Sequence, residues 1–167
     1  NQATTTAGIT AKSLSLTGLT AANKTYDGNA TAAITSYGTL TGIVGSDAVS
    51  LVTSSASASF SDKNAANGKT VTLRANSLSL SGAAAGNYVI SADQTTTANI
   101  APKAITVTGI TASNKVYDGS AAANVSVANA VLNGMVAGDA LTLAVTGSFA
   151  DKNVGTAKTV SLTSSYG

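Results

Sequence analysis

The 167 residues include no Cys, His, Trp or Glu and only one Pro, whereas Ala, Ser, Thr and Gly dominate. These absences exclude a Ser-His-Asp triad, a thiol nucleophile and any zinc or haem site that needs His or Cys, so we expect no enzyme and no cofactor. Nine basic and seven acidic side chains leave a net charge of only +2. Charge this sparse, with few aromatic residues, is not the footprint of a nucleic-acid-binding protein.

The composition also bears on solubility and location. No run of about 18 apolar residues is present to span a membrane, so no membrane insertion is expected. Low net charge with 44% hydrophobic residues favours a folded chain over a disordered one. Small, weakly charged residues in this proportion favour an extracellular protein or one on a bacterial cell surface.

The sequence repeats itself. Residues 23–28, Asn-Lys-Thr-Tyr-Asp-Gly, return 91 residues later at 114–119 as Asn-Lys-Val-Tyr-Asp-Gly. The same register pairs Ile9 with Ile100 without a gap. We therefore predict a tandem array with a period of about 90 residues, which is the size of a small domain rather than of one solenoid coil.

Three segments follow from this register. They are a tail strand of a preceding repeat at residues 1–8, a complete repeat at residues 9–99 and a second repeat at residues 100–167 that lacks its last strand. We expect the chain to be a window of a longer array. The second repeat should then expose an unpaired sheet edge, which the next stretch of the array would fill. Alternatively, residues 1–8 of an identical subunit could fill that edge head to tail and build a filament.

Strand patterns follow one another along each repeat. Residues 12–19 and 103–110 alternate polar and apolar side chains, which predicts half-buried strands. Residues 40–47 read as a loop that carries Ile43 or Val44 into the core. With about five to seven such strands per repeat and frequent turn signals, the fold class predicted is all-β: tandem small β-sandwich repeats of about 90 residues, Ig-like or β-grasp-like.

The repeated turns hold much of the charge. Asp-Gly is typical of a tight turn, because Gly accepts a positive φ and Asp bonds to the nearby backbone. A second repeated turn reads Phe-x-Asp-Lys-Asn, at residues 60–64 and 149–153. We predict a structural repeat motif and no catalytic, cofactor-binding or metal-binding residue. The motif residues are Tyr26, Asp27, Gly28, Asp62 and Asn64, and in the second copy Tyr117, Asp118, Gly119, Asp151 and Asn153.

With Gly86-Asn87-Tyr88, these motifs resemble the YDG-type repeat of large bacterial surface proteins, found in filamentous-haemagglutinin-like adhesins exported by two-partner secretion. The resemblance covers essentially the whole chain. It implies a non-enzymatic stalk on a Gram-negative cell surface, within a secreted or surface-anchored adhesin or an extracellular filament. The partners it implies are neighbouring repeats, and it names no host or matrix ligand.

The alternative function is a carbohydrate- or protein-binding module that acts directly in adhesion. Tyr26 and Tyr117 could then be binding platforms, although a core or edge tyrosine whose ring packs is the preferred interpretation. The sequence offers few aromatic residues from which to build an exposed cluster.

The polar side chains could also bind a cation or carry a modification. Six aspartates recur at predicted turns: Asp27, Asp47, Asp62, Asp118, Asp139 and Asp151. They offer the oxygen ligands that Ca²⁺ prefers, but they are scattered, which favours turn capping. Lys24 or Lys115 could join a distant Asn in an isopeptide bond. Glycosylation acceptor patterns at Asn23, Asn29 and Asn124 are expected by chance in a chain so rich in Ser and Thr.

Overall fold

A computed structural model of the chain describes residues 2–166. Their regular structure is β-strand apart from two short 3-10 turns, Ala75–Ser77 and Ala85–Asn87, so the all-β prediction is confirmed. In this part of the chain no helix has the length and apolarity to cross a membrane. The residues form two compact units that divide between Pro102 and Lys103.

The described residues of the first unit, 2–102, form thirteen short or medium strands. They are β1 Lys12–Ser13, β2 Ser15–Thr17, β3 Thr20–Ala21, β4 Lys24–Thr25, β5 Thr31–Ala32, β6 Ile34–Ser36, β7 Thr39–Thr41, β8 Ser50–Val52, β9 Ala58–Phe60, β10 Ala66–Leu73, β11 Ser79–Ser81, β12 Tyr88–Val89 and β13 Gln94–Ala101.

A five-stranded sheet with the order β4-β13-β10-β9-β5 organises this unit. Along β10, Lys69, Val71 and Leu73 are buried while Thr70 is exposed, which is the period-two pattern of a strand with one face on the core. Strand β13 runs antiparallel to β10 and parallel to β4, and its Ile100 is buried beside them. β13 therefore joins two parts of the unit that are far apart in sequence.

Shorter two-stranded ribbons complete the unit: β1-β12, β2-β7, β3-β6 and β8-β11. Leu14, Tyr88 and Ile90 form a second small core, against which residues of β7, β8 and β11 pack. The ribbon β3-β6 packs against the larger core instead. The single strand predicted at residues 12–19 is wrong in detail. The segment is divided between β1 and β2, because the two pieces pair with different partner strands, and residues 18–19 lie in no strand.

The second unit repeats this pairing with fewer strands. The pairs β14-β18 and β15-β17 correspond to β2-β7 and β3-β6, and the sheet β16-β19-β20 corresponds to β5-β9-β10. Its strands are β14 Thr106–Thr108, β15 Thr111–Ala112, β16 Ala122–Ala123, β17 Val125–Ser126, β18 Val131–Asn133, β19 Leu143–Phe149 and β20 Val160–Tyr166.

The core of the second unit is open. None of residues 103–166 is buried, whereas the first unit buries Phe60, Val71 and Leu73. Leu73 is 0% exposed, but Leu162 at the matching position is 45% exposed. Strand β20 lies at the edge of its sheet, where β10 has β13 as a neighbour, and this difference accounts for the exposure.

Candidate functional site

The Tyr-Asp-Gly turn of the first unit is closed by a lysine. Lys24, at the start of β4, donates from Nζ to Asp27 Oδ1 at 2.8 Å and to the Asn29 carbonyl oxygen at 2.8 Å. It also lies 3.1 Å from Asn29 Oδ1. Asp27 Oδ1 accepts a second hydrogen bond, from the Asn29 backbone N-H at 3.1 Å. Gly28 has a φ of 83°, which L side chains rarely adopt, so the turn requires glycine there.

The same lysine connects this turn to the second repeated motif. The Lys24 ammonium lies 5.6 Å from the centroid of the Phe60 ring, within the range of a cation–π contact. Phe60 is itself buried at the end of β9. The sequence therefore repeats Asn-Lys-x-Tyr-Asp-Gly and Phe-x-Asp-Lys-Asn together because the two motifs touch in the folded unit.

The second unit builds the same turn from slightly different residues. Lys115 Nζ donates to Asp118 Oδ1 at 2.8 Å and to the Ser120 carbonyl oxygen at 2.9 Å, and lies 5.9 Å from the Phe149 ring centroid. The Ser120 hydroxyl, at 3.0 Å, takes the place of the Asn29 side-chain oxygen. Gly119 has a φ of 78°. In both units the residue after Gly therefore offers the lysine a side-chain oxygen, from Asn29 in the first unit and from Ser120 in the second.

The turn after Phe60 has its own lysine. Asp62 Oδ1 accepts from the Asn64 backbone N-H at 2.7 Å, and Asp62 Oδ2 lies 2.7 Å from the ammonium of buried Lys69. Burial of a lysine requires such a partner, since an unpaired buried ammonium is costly.

The matching turn in the second unit keeps this arrangement. Lys158 forms a close ion pair with Asp151 and donates to the Asn153 carbonyl oxygen at 2.7 Å. Asp151 Oδ1 also accepts from the Asn153 backbone N-H at 2.7 Å. The predicted aspartates and asparagines thus lie in turns. Their lysine partners were not predicted, although the recurrence of lysine at residues 69 and 158 could have indicated them.

These contacts change the acidity of the carboxylates. The hydrogen bond from Lys115, with those from Ser120, lowers the pKa of Asp118 from 3.8 to about 2. The pKa values of Asp27, Asp62 and Asp151 are also lowered, in each case first by the lysine hydrogen bond and then by a backbone N-H. The four carboxylates are therefore held in their charged form, which suits ion pairing and not proton transfer.

A buried tyrosine forms a further polar contact that the sequence reasoning missed. The Tyr88 hydroxyl donates to Asp47 Oδ2 at 2.6 Å and accepts from the Val44 backbone N-H at 3.0 Å. The bond to Asp47 raises the pKa of Tyr88. It holds the residue 40–47 loop against the second core, where Ile43 packs while Val44 stays exposed. Gly86-Asn87-Tyr88 and Asp47 were visible as motifs, but nothing in the sequence showed that they meet.

The two motif tyrosines lie in different surroundings. Tyr26 packs against the core of the first unit, and its backbone N-H donates to the Ala101 carbonyl oxygen at 2.8 Å. Tyr117 is 57% exposed, so it is not a core tyrosine in the second copy. Ala101 belongs to β13, and among the described residues the second unit has no such strand beside Tyr117.

The two lysines considered for an isopeptide bond meet partners within their own turns. Lys24 meets Asn29, five residues away, and not a distant Asn, because the turn folds back on the lysine. Lys115 meets Ser120, which carries no amide. As for calcium, no group of three or more acidic, His or Cys side chains converges within residues 2–166.

These features define a class of small all-β repeat units whose charged motifs hold their own turns closed. The chain belongs to the YDG domain family, whose model matches residues 10–98 and again residues 101–167. No curated protein and no solved structure matches it significantly. The boundaries expected from the repeat register, at residues 9–99 and 100–167, stay predictions.

Proposed function

We propose that the chain is a non-enzymatic structural repeat segment of a secreted or surface-anchored bacterial adhesin, or of an extracellular filament. In this proposal each repeat is a small β-sandwich of about 90 residues, Ig-like or β-grasp-like, that spaces other parts of the protein. The observation that carries this proposal is that the repeated charged residues hold their own turns closed. Lys24, Asp27, Lys115 and Asp118 bind partners within their own turns.

Three further observations support the proposal. The chain belongs to one domain family twice over, as expected of a spacer built by duplication. Its charge is low and its side chains are small. The resemblance to filamentous-haemagglutinin-like proteins adds an extracellular location and export by two-partner secretion to the proposal.

A pulling experiment on the whole chain tests the mechanical role. With handles at both ends, a spacer should resist extension and then unfold in discrete steps. A repeat of about 90 residues, at roughly 3.3–3.6 Å per residue, should release about 300 Å of extended chain. Extension without any step, like that of an unfolded polymer, would contradict the proposal.

The alternative is that the chain itself binds a carbohydrate or protein ligand. The exposed Tyr117 and the neighbouring Val116, which is 87% exposed, favour it in the second unit. A glycan array and a panel of matrix proteins should show no binding if the chain is only a spacer. Binding that is lost in Tyr117→Ser and kept in Tyr26→Ser would establish the binding module instead.

A further inference from the structure

The strand on which the chain enters the first unit is bonded to a strand near the end of that unit. β1 pairs in parallel with β12, and Ser13 lies beside Val89. The backbone N-H of Leu14 donates to the Val89 carbonyl oxygen at 2.8 Å. The hydroxyls of Ser13 and Ser91, 78 residues apart in sequence, lie 3.0 Å from each other. Hydrogen bonds thus join the entry of the unit directly to a segment close to its exit.

Apolar packing holds the same two strands together. Leu14, directly after β1, is 4% exposed, and it belongs to the second core together with Tyr88 of β12 and Ile90. To slide along β12, β1 has to break its hydrogen bonds and draw Leu14 out of this core. Among the described residues β12 is the one strand that pairs with β1, so the hold on the entry strand depends on this ladder and this core.

The exit of the unit is held over a longer stretch. β13, the last strand of the unit, is antiparallel to β10 from Leu73 opposite Gln94 to Ala66 opposite Ile100. On its other side it is parallel to β4, with Ile100 beside Lys24. A strand paired on both sides has more hydrogen bonds to break than β1, which is paired at two residues. When the chain is pulled, the entry strand should therefore yield before the exit strand.

The parallel direction of β1 and β12 decides how tension acts on their ladder. Tension pulls β1 towards its N-terminal end, and the chain leads from the C-terminal end of β12 to the exit of the unit. Parallel strands pulled in this way slide past each other, so the hydrogen bonds between them are loaded together. Antiparallel strands at the same places would be pulled apart from one end, and their bonds would break one after another.

We propose that the β1–β12 ladder is a mechanical clamp that keeps the first unit folded while tension is transmitted along the chain. The clamp rests on the proposed spacer function, and it assigns the load within that function to one pair of strands. While the ladder holds, tension passes from residues 12–14 across to residues 88–91 and bypasses residues 15–87. When the ladder slips, the unit begins to unfold.

The direction of pulling tests the clamp, and the absence of native Cys allows handles to be attached at introduced cysteines. Handles at Ile9→Cys and Ala92→Cys pull the two strands from opposite ends and shear the ladder. Handles at Ile9→Cys and Asn87→Cys pull them from the same end and peel the ladder open. All three positions are exposed. The shearing pair should need the higher force, because forced unfolding follows the unfolding barrier, which is higher when all the bonds carry the load together.

The two handle placements also separate the clamp from the spacer function. Discrete unfolding steps at equal force in both placements would overturn the clamp and leave the spacer function standing. Extension without a discrete step in either placement would overturn the spacer function and the clamp with it.

Two leucine substitutions test which packing bears the load, with handles at Ile9→Cys and Lys103→Cys so that the first unit alone is pulled. Leu14→Ala loosens the clamp and should lower the force at which the unit yields. Leu73→Ala removes a fully buried side chain from the larger core, which contains no residue of β1 or β12. It should leave that force nearly unchanged, since packing that is still intact at the transition state has little effect on the unfolding rate. A loss of force in Leu73→Ala as large as that in Leu14→Ala would overturn the clamp.

Discussion

The lysine in each Tyr-Asp-Gly turn is placed where one compact charge reaches several oxygens. Lys24 contacts the Asp27 carboxylate and both the carbonyl and the side-chain oxygen of Asn29. An ammonium has three donors that can point in three directions, whereas the planar guanidinium of arginine fits a flat pair of acceptors. Lysine is therefore better suited than arginine to a turn whose acceptor oxygens surround a single ammonium group.

Gly28 is the residue of the turn that tolerates least change. Its φ of 83° lies in the left-handed region, so Gly28→Ala should lower the free energy of unfolding by about 1–2 kcal/mol. At the matching Gly119, an added Cβ would meet nothing within 4 Å, so the cost is one of backbone conformation. Urea denaturation of the whole chain measures it.

Gly86→Ala is the control for that change. Gly86 has no positive φ and open space around its Cα, so the substitution should leave stability nearly unchanged. Equal losses at Gly28 and Gly86 would show that the turn conformation is not the cause.

The ionised aspartates make stability depend on acidity. Their pKa values are lower in the folded chain than the ordinary 3.8, so they stabilise the fold fully above about pH 4. That contribution should be lost as the pH falls from about 4 towards about 2, where Asp118 takes up its proton. The urea midpoint, measured from pH 7 to pH 2, should fall in this window.

Asp118→Asn isolates one of these groups. The variant should be less stable than the wild type at pH 7, and the difference should shrink as the pH approaches about 2. A difference that does not change with pH would mean that the charge of Asp118 has no part in the turn.

Among the elements, β13 decides how well a unit is closed. It covers the β10 edge and buries Leu73 completely, while Leu162 on β20 stays 45% exposed. Both positions carry the same side chain at matching places in the repeat, so the pair compares a leucine on a covered strand with one on an edge strand.

Leu73→Ala should cost about 2–5 kcal/mol, as expected for a buried leucine in a packed core. Leu162→Ala should cost less than about 1 kcal/mol in dilute solution, since half of its side chain already faces water. Hydrogen exchange of β10 and β20 amides reports each unit separately. Similar losses at the two positions would contradict the open core of the second unit.

At the scale of the whole molecule, the acidic side chains are spread over separate turns and do not cluster. No three metal-binding side chains converge in the described residues 2–166, and the motif aspartates are paired with lysines. We therefore expect thermal melts with calcium and with a chelator to coincide. A ligand that binds the folded state alone raises its apparent stability, so a rise of more than a few degrees in calcium would contradict this prediction.

The sequence alone determined the β class, the repeat and the turns. Alternating side chains, the Asp-Gly pairs and the repeated Asp-Lys-Asn are local signals. They are enough to place Asp27, Asp62 and their copies in turns. The strand patterns and turns depend on neighbours within a few residues. Each of these patterns occurs in both copies of the repeat, which strengthens its prediction.

Only the tertiary structure decided which distant residues meet. The contacts of Tyr88 with Asp47, of Lys24 with Phe60 and of β13 with both β4 and β10 join segments separated by tens of residues. No local pattern encodes such a pairing, because it depends on how the whole chain closes around its core. The exposure of Tyr117 and Leu162 has the same origin, since a side chain is buried only when another strand lies over it.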